Sequence, residues 1–129
     1  MLKQNKIILI IAIAIIAIGF ILMAREGKAP IDMTDHLRGD PKAPVQMIIY
    51  SDFECPFCAE FAATLKKIEI EFSGKIAIAF RHYPLAGHPD AEKAAEASEC
   101  ASEQGRFWEM HDKLFADNTA GRMSVPQFK

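Results

Sequence analysis

Two runs of β-forming residues with a helix-length run between them constrain this chain more than any other feature. Residues 45–53, VQMIIYSDF, are apolar at the centre and rich in β-branched and aromatic side chains, the pattern of a buried strand. Pro56 then suits the first turn of a helix, where its missing N–H has no partner anyway. Phe57, Phe61, Leu65, Ile68 and Phe72 recur at helical spacing, which predicts a helix over 56–72, ended by Ser73 and Gly74. Residues 75–80, KIAIAF, alternate and read as a second strand. A strand–helix–strand unit of this length predicts an α/β fold with a parallel pair and a right-handed crossover. Two strands alone make no stable sheet, so further strands are expected from sequence beyond this stretch or from a partner.

Helices follow. Pro89 opens an alanine-rich segment of high helix propensity that Gly105 closes. Phe107, Met110, His111, Leu114 and Phe115 form an apolar stripe on a shorter helix, with Trp108 beside it and both Trp108 and His111 read as core. Residues 116–122 read as a loop, and SVPQFK begins a further element.

The chemistry sits at the end of the first strand. Cys55 and Cys58 are two of only three cysteines. Cys55 falls where the helix begins, facing unpaired N–H groups and the positive end of the macrodipole, and both favour a thiolate there. Cys58 lies one turn later on the same face, within reach of a disulfide. Cys55 at the exposed tip is the expected nucleophile, and the more buried Cys58 is expected to resolve the mixed disulfide. A C-x-x-C that opens a helix inside a βαβ pattern is a redox signal. Zinc would need two more ligands at knuckle-like spacing. Cys100, His82, His88 and His111 are available, but no second C-x-x-C and no H-x-x-x-H exists. No metal and no separate cofactor is therefore expected at the pair, only a redox-active Cys55–Cys58 disulfide. Phe57 is expected to be exposed beside Cys55 and to contact substrate chains. Asp52 and Glu54 are read chiefly as solvated strand-end residues, with proton transfer to or from Cys58 as their candidate role. His82 reads as a loop histidine with a structural hydrogen bond, and the lone Cys100 as a small buried hydrophobe.

The N-terminus tells a separate story. Residues 7–24, IILIIAIAIIAIGFILMA, are 18 consecutive residues without a charge. As a helix they would reach about 27 Å, close to a bilayer core. Lys3 and Lys6 precede them, so the expected orientation keeps the N-terminus cytoplasmic and carries the rest across. The run exceeds the apolar core of a cleavable signal, and Leu22 occupies the −3 position for a cut after Ala24. A cut after Ala29 would fit Gly27 and Ala29 but is disfavoured by Pro30, so residues 1–24 are expected to be an uncleaved single-pass anchor, with a cleaved signal segment as the alternative. Residues 25–44, with three prolines, two glycines and many charges, read as a linker. The chain has a net charge of −2, and residues 1–29 carry +3, which leaves −5 for residues 30–129. An acidic domain without a basic cluster excludes nucleic acid as the expected partner.

The core S-D-F-x-C-P-F-C, residues 51–58, and the segment Q-G-x-F-W-x-M-H-D-x-L-F, residues 104–115, occur in order. Together they resemble the DsbA-like, disulfide-forming branch of the thioredoxin superfamily, over roughly residues 40–129. The resemblance implies a thioredoxin fold with a helical insertion from about residue 89, and thiol–disulfide exchange on exported proteins. Cys55 would be the nucleophile, Cys58 the resolving thiol, and Pro56-Phe57 the tuning dipeptide. It also implies a membrane redox partner, quinone-linked, that reoxidises the pair.

Three departures qualify it. The family continues with two strands and a final helix, so residues 45–129 are expected to be a partial domain without that ββα portion. Pro126 fits a helix start better than the family's cis-proline loop. The position six residues before the first cysteine, a buried carboxylate in many relatives, is Ile49 here. Strongly oxidising relatives carry histidine where this chain has Phe57, which implies an oxidant of moderate strength. Two other classes remain in view: an inactive or regulatory membrane-tethered fragment, and a metal-binding module built on Cys55, Cys58 and a histidine.

Overall fold

The structure is a computed structural model that describes residues 2–23, 31–32 and 34–128. The chain divides into two compact units, Met1–Pro30 and Ile31–Lys129. The first holds helix α1 (Leu2–Met23). Its side chains are described only over residues 10–20, all exposed. Both ends of the apolar run 7–24 lie outside the residues so described. Among the described residues no helix is long and apolar enough to cross a membrane.

The second unit runs β1 (His36–Gly39), β2 (Val45–Ser51), α2 (Pro56–Glu71), β3 (Ile76–His82), α3 (Ala91–Ser102) and α4 (Phe107–Thr119), then a 3-10 turn at Val125–Phe128. The sheet order is β1-β3-β2. β2 runs parallel to β3, from Val45 opposite Ile76 to Ser51 opposite His82. β1 runs antiparallel, from His36 opposite Phe80 to Gly39 opposite Ala77. The expected βαβ unit is thus present, and β1 supplies a third strand.

That strand corrects the linker reading, because β1 lies within residues 25–44. Its four residues carry no run of β-formers, and pairing along β3 rather than intrinsic propensity makes it a strand. Gly39 closes it at φ 97°, where a Cβ would stand 2.5 Å from the carbonyl oxygen of Ile76, so only glycine fits without a shift.

Four consecutive residues of β3, Ala77 to Phe80, are buried, as in a strand enclosed on both sides. Ile49, Leu65 and Ile78 form one apolar cluster between the sheet and α2. Phe53, Phe80, Phe107, Leu114 and Phe115 belong to a second, between the sheet and α4. Phe53, Phe80 and Leu114 are fully enclosed, and each such side chain is worth about 1.5–3 kcal/mol of burial. Helix α4 continues four residues past the stripe that predicts it, to Thr119, so the first four residues of the expected loop 116–122 are helical. Phe128 of the terminal turn is buried, and the described residues contain no cis peptide bond, which places Pro126 in a trans 3-10 turn. The expected helix start is realised there only as a single turn.

Candidate functional site

Strand β2 stops at Ser51 rather than Phe53, and the reason is Asp52. Its Oδ1 accepts the N–H of Glu54 at 2.7 Å, and its carbonyl accepts the N–H of Cys55 at 3.2 Å. This Asx turn lifts the chain out of the sheet. Phe53 drops into the core, and Cys55 emerges as the N-cap of α2 with extended backbone, φ −71° and ψ 121°. Pro56 occupies the first helical position, and Ala59 donates to the Cys55 carbonyl at 3.1 Å to close the first turn. No side chain caps this end. The N–H groups of the first turn therefore have no intrahelical acceptor and face the thiol region.

Both cysteines are free thiols and half-buried, so burial class alone does not set Cys58 apart. Packing does: Cys58 lies against the Phe53–Phe80 core cluster. Phe57 is 77% exposed, as the sequence predicts. Ile49, in the position of the relatives' carboxylate, is buried among Leu65 and Ile78.

The two nearby carboxylates are not solvated strand-end residues. Asp52 is 3% exposed. Its Oδ2 accepts the N–H of Leu85 at 2.9 Å and contacts His88 Nδ1 at 2.6 Å, so one carboxylate ties the turn before Cys55 to the loop after β3. Glu54 accepts the N–H of Asp90 at 2.7 Å and anchors the entry to α3. The alternation of apolar and polar residues hides this, because the donors come from a loop more than 30 positions away.

Behind Cys58, between α2, α4 and the sheet, lies a cavity of about 30 Å³, lined in part by Cys58, Phe61, Phe80, His111 and Phe115. That is room for about one or two waters. His111 is buried as expected, but it is also paired: Nδ1 lies 2.8 Å from Asp112 Oδ1. Arg38 reaches the same oxygen at 3.2 Å while lying 4.1 Å from the ring centroid of Trp108. Burial pushes His111 down to about 4, and the Asp112 contact only partly opposes it. Burial would raise Asp112, but its contacts with His111 and Arg38 hold it below the usual carboxylate range. A neutral His111 beside an ionised Asp112 donates through Nδ1.

Sequence reasoning missed Arg38 and His36, since nothing in the linker-like stretch marks them. Cys100 is exposed, not buried; the alanines around it, Ala94 and Ala101, take the inner face of α3. His82 does hold a structural contact, to Glu99 at 2.6 Å. Among the described residues no group of three metal-capable side chains gathers around Cys55 and Cys58; the group that does form is His36, His82 and Glu99.

A parallel βαβ unit with an uncapped C-x-x-C helix start is the active-site architecture of thiol-exchange proteins. The thioredoxin family model matches residues 32–125, and the chain belongs to that family. Its structural neighbours are DsbA-like members of the thioredoxin superfamily. The α-DsbA1 of Wolbachia pipientis superposes with a TM-score of 0.64 at 28% identity, over 76% of this chain and 52% of that one. Oxidised BdbD from Bacillus subtilis gives 0.63 at 27%, over 74% and 54%. Among curated proteins, the Na(+)/H(+) antiporter NhaA 3 of Salinispora tropica is 43% identical over 102 residues, 74% of this chain and 16% of that protein. The chain thus spans about half of these solved relatives and about one sixth of that antiporter.

Proposed function

We propose that this chain acts as a protein thiol–disulfide oxidoreductase on exported proteins, through Cys55 and Cys58. The observation that carries the reading is the placement of Cys55-Pro56-Phe57-Cys58 as an uncapped helix start at the carboxyl end of a parallel strand. Likeness to DsbA-like structures above 25% identity supports it.

In the oxidising direction, a substrate thiolate attacks Cys55 Sγ. The Cys55–Cys58 bond breaks, and Cys58 leaves as a thiolate that takes up a proton. A second substrate thiolate then attacks the substrate sulfur of the mixed disulfide and expels Cys55. The substrate loses two electrons and two protons, and the pair ends as a dithiol. A membrane redox partner takes those electrons to restore the disulfide; that partner rests on the family resemblance. Asp52 is the buried carboxylate we assign to proton exchange with Cys58, with half-exposed His88 linking it to solvent, and Glu54 holds the adjoining loop. Phe57 contacts substrate. The dipeptide Pro56-Phe57 sets a moderate oxidising strength. Residues 7–24, apolar throughout and preceded by Lys3 and Lys6, support a single-pass anchor that places the domain outside the cytoplasm.

The test uses the oxidised full chain and a reduced, unfolded substrate protein. Given a disulfide-bonded form of the substrate, Cys58→Ser should accumulate a mixed disulfide at Cys55, because no second thiol resolves it; with the reduced substrate, Cys55→Ser should abolish turnover. Undiminished turnover in Cys55→Ser would sink the proposal.

A further inference from the structure

Three side chains that thiol exchange does not use bring ligand atoms to one point. His36 stands on β1, His82 ends β3, and Glu99 projects from α3. The Nε2 of each imidazole lies 2.6 Å from the same Glu99 oxygen, Oε1. The three ligand atoms lie within 4.8 Å of one another. Packing fixes both rings. His36 stacks on Phe107 at a centroid distance of 3.6 Å and an interplanar angle of 5°. His82 meets the edge of Phe80 at 5.3 Å and lies tilted against Phe53 at 5.8 Å. Glu99 is half-exposed, so the outer side of the group is open to water.

We propose that His36, His82 and Glu99 form a binding site for a divalent cation of borderline softness, zinc foremost, with water as the fourth ligand. Two imidazole nitrogens and one carboxylate oxygen are the donor set that zinc accepts in three-ligand sites, and they suit calcium or magnesium poorly. Tetrahedral ligands at zinc distances stand about 3.3 Å apart. The present spacing therefore calls for shifts of about an ångström, and the exposed Glu99 is the group free to make them. Glu99 stays a carboxylate: burial would raise it, but the bonds from His36 and His82 pull it below its usual range.

One feature limits the affinity. His82 Nδ1 is buried without a hydrogen-bond partner. Coordination through Nε2 places the ring proton on Nδ1, with no acceptor to orient it. Zinc-ligating histidines ordinarily have such an acceptor, and losing one costs about 10–100-fold in affinity. The site should therefore bind about 10–100-fold more weakly than a fully supported one. A bound cation would tie the sheet to the helical segment through β1, β3 and α3. This inference is independent of the thiol reading, and either can fail alone.

The experiment is a calorimetric zinc titration of the full chain after alkylation of Cys55, Cys58 and Cys100, which removes thiolate binding. One zinc per chain is expected, with a melting-temperature rise of about 10 °C at 100-fold excess over Kd. His36→Ala and Glu99→Gln should each weaken binding by about 100-fold or more. The chain has four histidines, so ring proton resonances of the unmutated protein give a readout that needs no variant to fold. Those of His36 and His82 should move with zinc, and those of His88 and His111 should stay. No zinc uptake after alkylation, unchanged affinity in Glu99→Gln, or shifts that bypass His36 and His82 would each overturn the site.

Discussion

Acidification from pH 7.5 to 4.5 should cost the folded domain about 2.5 kcal/mol through His111 alone. Burial lowers this histidine from 6.5 to about 4 in the folded chain. The unfolded chain therefore takes the proton first. The contribution is fully present above pH 6.5 and is lost as the pH falls from 6.5 through 4. The full shift corresponds to about 3.4 kcal/mol, at 1.36 kcal/mol per unit, and at pH 4.5 native His111 is already taking up some protons, which leaves about 2.5. Trp108 provides the assay. It is the sole tryptophan, and its ring lies 4.9 Å from that of His111. Urea melts followed by its fluorescence, at both pH values, should be compared for the full chain and His111→Leu. The variant has its own baseline stability, but its loss on acidification should be smaller by about 2.5 kcal/mol. Asp35, Asp112 and Asp117, whose hydrogen bonds hold them low, titrate beneath this window. Equal losses in the two proteins would refute the assignment of His111 as a buried neutral imidazole.

Asp52→Ala removes the acceptor of the Glu54 and Leu85 N–H groups and the partner of His88. A loss of about 2–4 kcal/mol is expected in denaturant melts, and a loss within error would show that the turn does not depend on this carboxylate. Phe57→Ala should leave stability within about 0.5 kcal/mol, since the ring is largely in water. Turnover of protein substrates should fall while exchange with a small disulfide holds, and a parallel fall in both would argue against substrate contact by the ring.

The βαβ unit was legible because each of its signals is local. Pro56 and Cys55 mark the helix start, and the apolar spacing from Phe57 to Phe72 marks its face; α2 ends one residue short of that stripe, with Phe72 as its cap. The thiol pair was legible for the same reason. What escaped depends on distant partners. His36, Leu37, Arg38 and Gly39 look like linker until β3 lies beside them. Asp52 looks like a strand-end charge until the Leu85 loop closes over it. Cys100 reads as buried because a lone cysteine on an alanine-rich helix behaves as a small hydrophobe, but only one side of α3 faces inward. His111 shows a further limit: the stripe announces a core position, and only the fold reveals Asp112 and Arg38 grouped beside it.

The antiparallel pairing of β1 with β3 carries a consequence for biosynthesis. His36 leaves the ribosome 44 residues ahead of its partner Phe80. Cys55 and Cys58 also emerge before β3, and before Leu85 and His88, which complete the shell of Asp52. For that interval the nascent chain presents both thiols with neither the sheet nor the loop that will position them. The turn that carries them is complete only after translation has passed the second strand of the βαβ unit and the loop that follows it.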